Sequence, residues 1–364
     1  MQELIPHYRV SFFSQLSKYQ HDITVFHSTC RRTDGLVISC QFSFSNTAVT
    51  ILKIGRLYWQ NILTKITTGK FRYVVIGLEL KIISNYFVWL SALFSPYKVI
   101  WWTHGFNVQL QRNDFKFWLD RIIKTVMMKL SSRILLYTDY NLDELLRWGI
   151  SRDKIIILNN AIDERPYQEA LEKVSRADIE RVEQQTSKSG HTITFLGRLT
   201  RGKKVERVLE IAKILLPKFP DLRVLIIGDG EERASLELGV RESGLEGTVF
   251  FLGTITDPQE LSPYMKVTDF VVLPGSVGLT IVHSMIYGIP FVTLENEKHS
   301  PEIAYLINDY NGYKAQDLQG MCRWISEVFD DPEKKNRLKD NCLTTIREKV
   351  SLTHMAEQFV KAFE

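Results

Sequence analysis

Short runs of apolar β-formers recur along the chain, and between them lie stretches with helical spacing. In the first half the runs are ITVFHS (23–28), VTILKI (49–54), YVVIGL (73–78), KVIWWTHG (98–105), SRILLYT (132–138) and KIIILNN (154–160), with helical spacing over 113–130 and 141–148. The second half keeps the rhythm in HTITFLGR (191–198), DLRVLIIGDG (221–230), GTVFFLGT (247–254), DFVVLPG (269–275) and IPFVTLE (289–295). Strands alternating with helices predict βαβ units and parallel sheets. The chain therefore reads as α/β, with two doubly wound domains at 1–163 and 164–343. Residues 163–190 are charged, lack a β-rich run and end in SKSG, so they read as a linker with a surface helix. Ligands of open parallel sheets sit at the carboxyl ends of the strands, and the facing edges of two such domains predict a cleft there.

At 364 residues the chain is long enough to bury two cores. With 45% hydrophobic and 24% charged residues it has the composition of an ordinary globular protein. Cys30, Cys40, Cys322 and Cys342 show neither metal-ligand nor redox spacing, which predicts a reduced, cytoplasmic setting and no metal site. No secretory signal opens the chain, and no apolar run reaches the roughly 18 residues of a membrane span. The longest, 82–94, is expected as a buried helix. Charge is uneven: residues 1–163 hold 20 Lys/Arg against 11 Asp/Glu, so the rest of the chain, with 26 against 31, is acidic. The basic residues follow no recognised reading module, which disfavours nucleic acid as a partner.

Four loops of the second half follow strands at the ligand-binding end. In FLGRLTRGKKVERVL, Gly197 is followed by Arg198 and Lys203 at a strand-to-helix junction, a setting that suits a diphosphate. IIGDGEE places Gly228 and Gly230 where backbone approaches a ligand closely, and FFLGTIT offers the backbone of Thr254 and Ile255 beside a flat base. In TDFVVLPGSVGLTIVHSMIYGIPFVTL (268–294), Gly275, Gly278, Leu279 and Thr280 precede or open a predicted helix over 279–287. His283 lies one turn inside that helix, either packed in the core or bonded to a ribose hydroxyl.

The series GRLTRGKKVERVL, LIIGDGEERASLE, VFFLGTI, TDFVVLPGSVGLTIVHSMIYGIPFV and PEIAYLINDYNGY resembles the donor-binding half of the family 4 retaining glycosyltransferases of the GT-B fold. IPHYRVSFFSQLSK, IWWTHG and LLYTDYNLDELLRWGISRDKIIILNNAID extend the resemblance to the first half. It implies two Rossmann-like domains facing across a cleft, the first on the acceptor side and the second binding a nucleotide sugar. A carboxyl-terminal helix over about 344–364 would pack back on the first domain. It also implies that Arg198 and Lys203 hold the diphosphate, that the backbone of Gly278, Leu279 and Thr280 holds the donor, and that His104 faces the transferred sugar. His7, Tyr8 and Arg9 would line the acceptor side. Family members carry two glutamates eight positions apart where this chain has Gly275 and His283. Only residues 2–5 precede Pro6, where similar proteins begin with a full strand, so the expectation is a very short first strand or a start placed too late.

The implied activity is metal-independent, cofactor-free retaining transfer from a nucleotide sugar, UDP first among the bases, to a lipid-linked or saccharide acceptor in exopolysaccharide, capsule or O-antigen synthesis. Residues 53–72 and 113–129 interleave Lys/Arg with aromatic and aliphatic residues, which predicts interfacial helices that touch an anionic inner membrane, or core helices with a solvated basic side. Two other readings share the architecture: a sugar-nucleotide epimerase or phosphorylase, and a non-catalytic nucleotide-sugar-binding partner of another transferase.

Overall fold

A computed structural model describes residues 5–19, 22–28, 42–107, 114–186 and 190–364, apart from the side chain of His7; Cys30, Cys40, residue 113 and most of SKSG lie outside that set. The chain forms two compact units, Met1–Asp163 with Ser351–Glu364, and Glu164–Val350. Its strands are β1 Val25–Ser28, β2 Asn46–Val49, β3 Ile51–Ile54, β4 Leu57–Gln60, β5 Tyr73–Gly77, β6 Lys98–Thr103, β7 Arg133–Leu136, β8 Ile155–Ile157, β9 Thr192–Leu196, β10 Arg223–Ile227, β11 Val249–Gly253, β12 Phe270–Val272, β13 Phe291–Leu294 and β14 Gly312–Ala315.

In the first unit β5 to β8 form a parallel sheet in chain order, with Trp101, Ile134 and Leu136 fully buried. β1 and β2 pair in parallel as a separate ribbon. The run expected as one strand over 49–54 divides at Thr50 between β2 and the antiparallel hairpin β3–β4. That hairpin also replaces the helix expected over 53–72, of which only Leu63–Thr68 is helical. Gly55, at φ 61, reverses the chain between two runs of alternating apolar residues, and a hairpin with this turn outcompetes a helix there.

Two helices of this unit point their polar residues inward. Helix Phe115–Lys129 buries Asp120, Arg121 and Lys124. Lys124 pairs with Asp120 at 2.9 Å and donates to the Gly105 carbonyl at 3.0 Å, while Asp120 accepts the Asn107 N–H at 3.1 Å. Arg121 pairs with Glu144 at 2.8 Å and lies 3.4 Å over the Phe117 ring. Apolar side chains therefore face outward, with Phe115 78% and Trp118 50% exposed. Helix Ile83–Ser91 follows suit: Asn85 donates to the Gly77 carbonyl, Ser84 accepts the Gln60 N–H, and Phe87 and Leu90 stay exposed. The buried helix expected at 82–94 is thus buried on one side only, because its polar residues are needed beneath to satisfy strand-end backbone.

The helix expected over 344–364 is two helices, Pro332–Glu348 and Leu352–Val360, because the Ser351 side chain caps the second by accepting the His354 N–H. The second helix packs on His7–Leu16 through Phe12 and Phe359, whose rings lie 5.4 Å apart.

In the second unit six parallel strands run in the order β11-β10-β9-β12-β13-β14. The residues of the four central strands are buried almost throughout, as expected where helices cover both faces. Residues 164–186, expected as a linker with a surface helix, form two helices of this unit, Arg165–Glu172 and Arg176–Thr186; the Tyr264 hydroxyl donates to Gln185 on the second. Replacing Asp120 with Ala strands a buried Lys124 ammonium, and urea denaturation is expected to show a loss of about 3 kcal/mol.

Candidate functional site

The chain enters the second sheet at β9, builds outward through β10 and β11, and then crosses to β12 on the other side of β9. At this switch point the loops after β9 and β12 diverge, and open α/β sheets bind ligands in such a crevice. Backbone bonds stitch the loops together. Gly197 N–H donates to the Ile227 carbonyl at 2.9 Å, Gly228 N–H to the Gly253 carbonyl at 2.7 Å, and Leu199 N–H to the Asp229 carbonyl at 2.9 Å. The approach is so close that a Cβ on Gly228 would lie 1.8 Å from the Gly197 oxygen, and one on Gly230 2.4 Å from the Leu199 oxygen. Thr254 and Ile255 continue from Gly253 at the edge of this group.

The loop after β12 closes on the first loop in the same way. Ser276 N–H donates to the Gly202 carbonyl at 2.8 Å, and the Lys203 ammonium donates to the Ser276 carbonyl at 2.6 Å. A Cβ on Gly275 would meet the Gly202 oxygen at 2.4 Å and the Lys203 carbonyl carbon at 2.5 Å. Position 275 therefore has room for no side chain at all. Burial, and then the charge of Arg198, push the Lys203 ammonium below its ordinary pKa. Two cations held close repel each other, and an anion between them relieves that repulsion. Lys204 and Arg207, farther along, are taken up by Glu297 at 2.5 and 3.6 Å.

Thr280 opens helix Thr280–Ile286, shorter than the expected 279–287, and its hydroxyl would lie 3.7 Å from a Cβ on Gly197. Gly278 and Leu279 lead into it, and the first N–H groups of a helix lack intrahelical partners. His283, half-buried on that helix, meets the Tyr167 ring edge to face at 5.0 Å. Tyr167 was hidden in the segment read as a linker. His299 was missed as well: its Nδ1 accepts the Val277 N–H at 3.2 Å and its Nε2 donates to the Leu294 carbonyl at 2.7 Å. Ser300 N–H returns to the Val277 carbonyl at 2.9 Å, so His299 and Ser300 clamp the loop that carries Gly275 and Gly278. Its place after β13, at the ligand-binding end of the sheet, was the available signal.

In the first unit His104 follows β6, and its exposed ring stacks on Tyr137 at 3.8 Å with planes 12° apart. Tyr137 stacks in turn on Trp102, and the Arg9 guanidinium lies 4.9 Å over Trp102. Arg9 is 3% exposed and donates to Asn160 at 2.5 Å, so its side chain anchors the first helix from within. Tyr8 is half-buried beside it, and the His7 side chain lies outside the described residues. Asn141 donates to the carbonyls of His104 and Phe106, which holds the loop from behind.

Residues 177–343 match the family described as glycosyl transferases, group 1. The match takes in the four loops of the second unit and covers a little less than half of the chain. Over 288 residues it is 26% identical to an uncharacterised 41.2 kDa protein of the cps region of Klebsiella pneumoniae, covering 76% of this chain and 75% of that one. Several further curated relatives are matched over less than half their length. Among solved structures, a glycosyltransferase of Rickettsia africae superposes with TM-score 0.73 at 13% identity, covering 100% of this chain and 96% of that one. HepE of Anabaena, solved with UDP and glucose, gives TM-score 0.69 at 15% identity over 99% and 96% of the two chains. At these identities the likeness shows the fold, which is GT-B.

Gly228→Ala is expected to separate the first two loops, which lowers the thermal midpoint and weakens any nucleotide binding read by calorimetry. Burial lowers the His299 pKa first, with the Lys314 and Lys203 charges adding to it and the Leu294 bond and Glu297 opposing. The unfolded ring titrates near about 6.5. Stability is therefore full above that pH and falls as pH drops below it, by at most about 1.4 kcal/mol per pH unit for this group. His299→Gln should flatten that decline in unfolding curves between about pH 6.5 and 5.

Proposed function

We propose that the protein is a retaining, metal-independent glycosyltransferase that moves a sugar from a UDP-sugar to a lipid-linked or saccharide acceptor in exopolysaccharide, capsule or O-antigen synthesis, in peripheral contact with an anionic inner membrane. The observation that carries this reading is the Arg198–Lys203 pair at the switch-point loop, held against the loop after β12 by the Lys203 bond to Ser276. Supporting it are the match of residues 177–343 to group 1 glycosyl transferases, the UDP and glucose bound to HepE, and the cps-region setting of the Klebsiella relative.

In this reading Arg198 and Lys203 hold the diphosphate of the donor, and the backbone of Gly278, Leu279 and Thr280 adds N–H donors. Gly228 and Gly230 let the backbone approach, Thr254 and Ile255 border the base, and His283, braced by Tyr167, bonds a ribose hydroxyl. His104 attends the transferred sugar, with the start of the first helix, at His7 and Tyr8, toward the acceptor. The bond from the anomeric carbon to the diphosphate oxygen breaks while the acceptor oxygen bonds to that carbon on the same face. The acceptor proton passes to the departing phosphate. Charge builds on the phosphate oxygens as that bond breaks, and positive charge fixed in advance stabilises it. Arg198 and Lys203 supply that charge, so neither a metal nor a cofactor enters the scheme.

The closed position at Gly275 favours one other reading, a nucleotide-sugar-binding partner without turnover, because no side chain there reaches the sugar. A thermal-shift titration against UDP, GDP, ADP and CMP, with Arg198→Ala and His283→Ala alongside, tests the donor site. UDP at about 100 times its dissociation constant is expected to add about 2.7 kcal/mol to the wild type. Little of that should remain in Arg198→Ala, whose turnover should fall by about 10²-fold or more. Stabilisation by UDP without turnover on any lipid-linked acceptor would move the binding-partner reading ahead, and a folded protein indifferent to all four nucleotides would sink both.

A further inference from the structure

Among the described residues, large apolar side chains exposed to solvent concentrate in one part of the first unit. Thirteen of the nineteen lie between Leu52 and Leu130. They come from hairpin β3–β4, helix Ile83–Ser91 with the turn after it, and helix Phe115–Lys129 with Leu130. Hairpin β3–β4 meets helix Ile83–Ser91 through the Tyr58 N–H bond to the Lys81 carbonyl, 2.8 Å, and the Trp59 and Phe87 rings, 5.3 Å apart. Burial, and then the charge of Asp120 on helix Phe115–Lys129, push the Tyr86 hydroxyl above its ordinary pKa. Connections between adjacent parallel strands have one hand, so the crossovers β5 to β6 and β6 to β7 set these two helices on one face of the sheet.

The orientation of both helices is enforced from beneath. Their polar residues are spent on the backbone of strand ends and of the His104 loop, and the apolar residues are left outside. Phe94, in the turn Ala92–Phe94, is 91% exposed, and Phe115, Trp118, Ile122 and Val126 form a stripe at helical spacing. A face this apolar marks a site of association. Its charge decides with what. The three elements carry the exposed cations Lys53, Arg56, Lys116 and Lys129, and the one carboxylate within their ranges, Asp120, is buried against Lys124. A second copy of the same face would bring like charges together, whereas an anionic bilayer offers both a hydrocarbon boundary and opposite charge.

We infer that the face formed by hairpin β3–β4, helix Ile83–Ser91 with its following turn, and helix Phe115–Lys129 docks on an anionic membrane, Phe94, Phe115, Trp118 and Ile122 entering the headgroup boundary. This gives a surface to the membrane contact of the proposed function and rests on that part of it. It also links docking to chemistry, because helix Phe115–Lys129 holds the His104 loop through Asp120 and Lys124.

Co-sedimentation of the full chain with phosphatidylcholine vesicles, alone or with about 30% phosphatidylglycerol, tests the assignment. The wild type should partition onto the anionic vesicles about tenfold better than onto the neutral ones, and Trp118→Ser/Ile122→Ser and Lys116→Glu/Lys129→Glu should each lose about tenfold. Leu238→Ser, an exposed leucine of the second unit, should match the wild type. Circular dichroism confirms that each variant is folded, and light scattering reads the oligomeric state. Unchanged binding by the folded Trp118→Ser/Ile122→Ser variant overturns the proposal, as does no vesicle binding by the wild type. A wild-type dimer that this variant dissociates, without vesicle binding, would overturn it in favour of a second copy. UDP thermal shift on the same samples keeps the two readings apart: vesicle binding without nucleotide stabilisation retains the surface and drops the transferase.

Discussion

Backbone packed directly on backbone, without intervening side chains, is the constraint on which the candidate site depends. Gly228 against Gly197, Gly230 against Leu199, and Gly275 against Gly202 and Lys203 bring three loops within a distance that any Cβ would forbid. The gain is rigidity at the switch point of the sheet, where the loops after β9 and β12 part and where Ser276 holds the Lys203 ammonium within the field of Arg198. Charge that is fixed in place before an anion arrives costs no reorganisation when it does. His299 and Ser300 extend the same logic one strand farther, since they clamp Val277 between a ring nitrogen and an N–H.

The first unit solves a different problem by a related means. Its helices bring polar side chains inward because the ends of β5 and β6 and the loop at His104 leave carbonyl and N–H groups that need partners. Asp120 and Lys124 satisfy two of them and each other. What is polar beneath is apolar above, so stability of the His104 loop and exposure of the Phe115 to Leu130 stripe are two consequences of one helix orientation. Arg9 shows the same economy: a cation that reads as a surface contact in the sequence is spent on Trp102, Tyr137 and Asn160 inside the fold.

Much of the architecture was legible. All five second-half runs became strands, because a strand buried on both faces must be apolar along its length and so announces itself. The four ligand-side loops were legible as well, since glycine after such a run marks a close approach. Where legibility failed, two structures competed for one pattern. Residues 53–72 carry spacing compatible with a helix, yet Gly55 makes a hairpin and leaves six residues, Leu63–Thr68, to the helix. Residues 164–186 look like a linker with one surface helix because they are mostly polar, and only packing shows that they form two helices and bring Tyr167 to His283.

The sequence by itself determined the class of fold, the order of its elements, the glycines of the loops and the cationic pair at Arg198 and Lys203, because each is written in local composition and spacing. Tertiary structure alone decided which way the side chains of the first unit's helices point, that position 275 is closed to any side chain, and that His299 reaches Val277. These depend on residues far apart in the chain competing for the same space and the same hydrogen bonds, and no local pattern records the outcome of that competition.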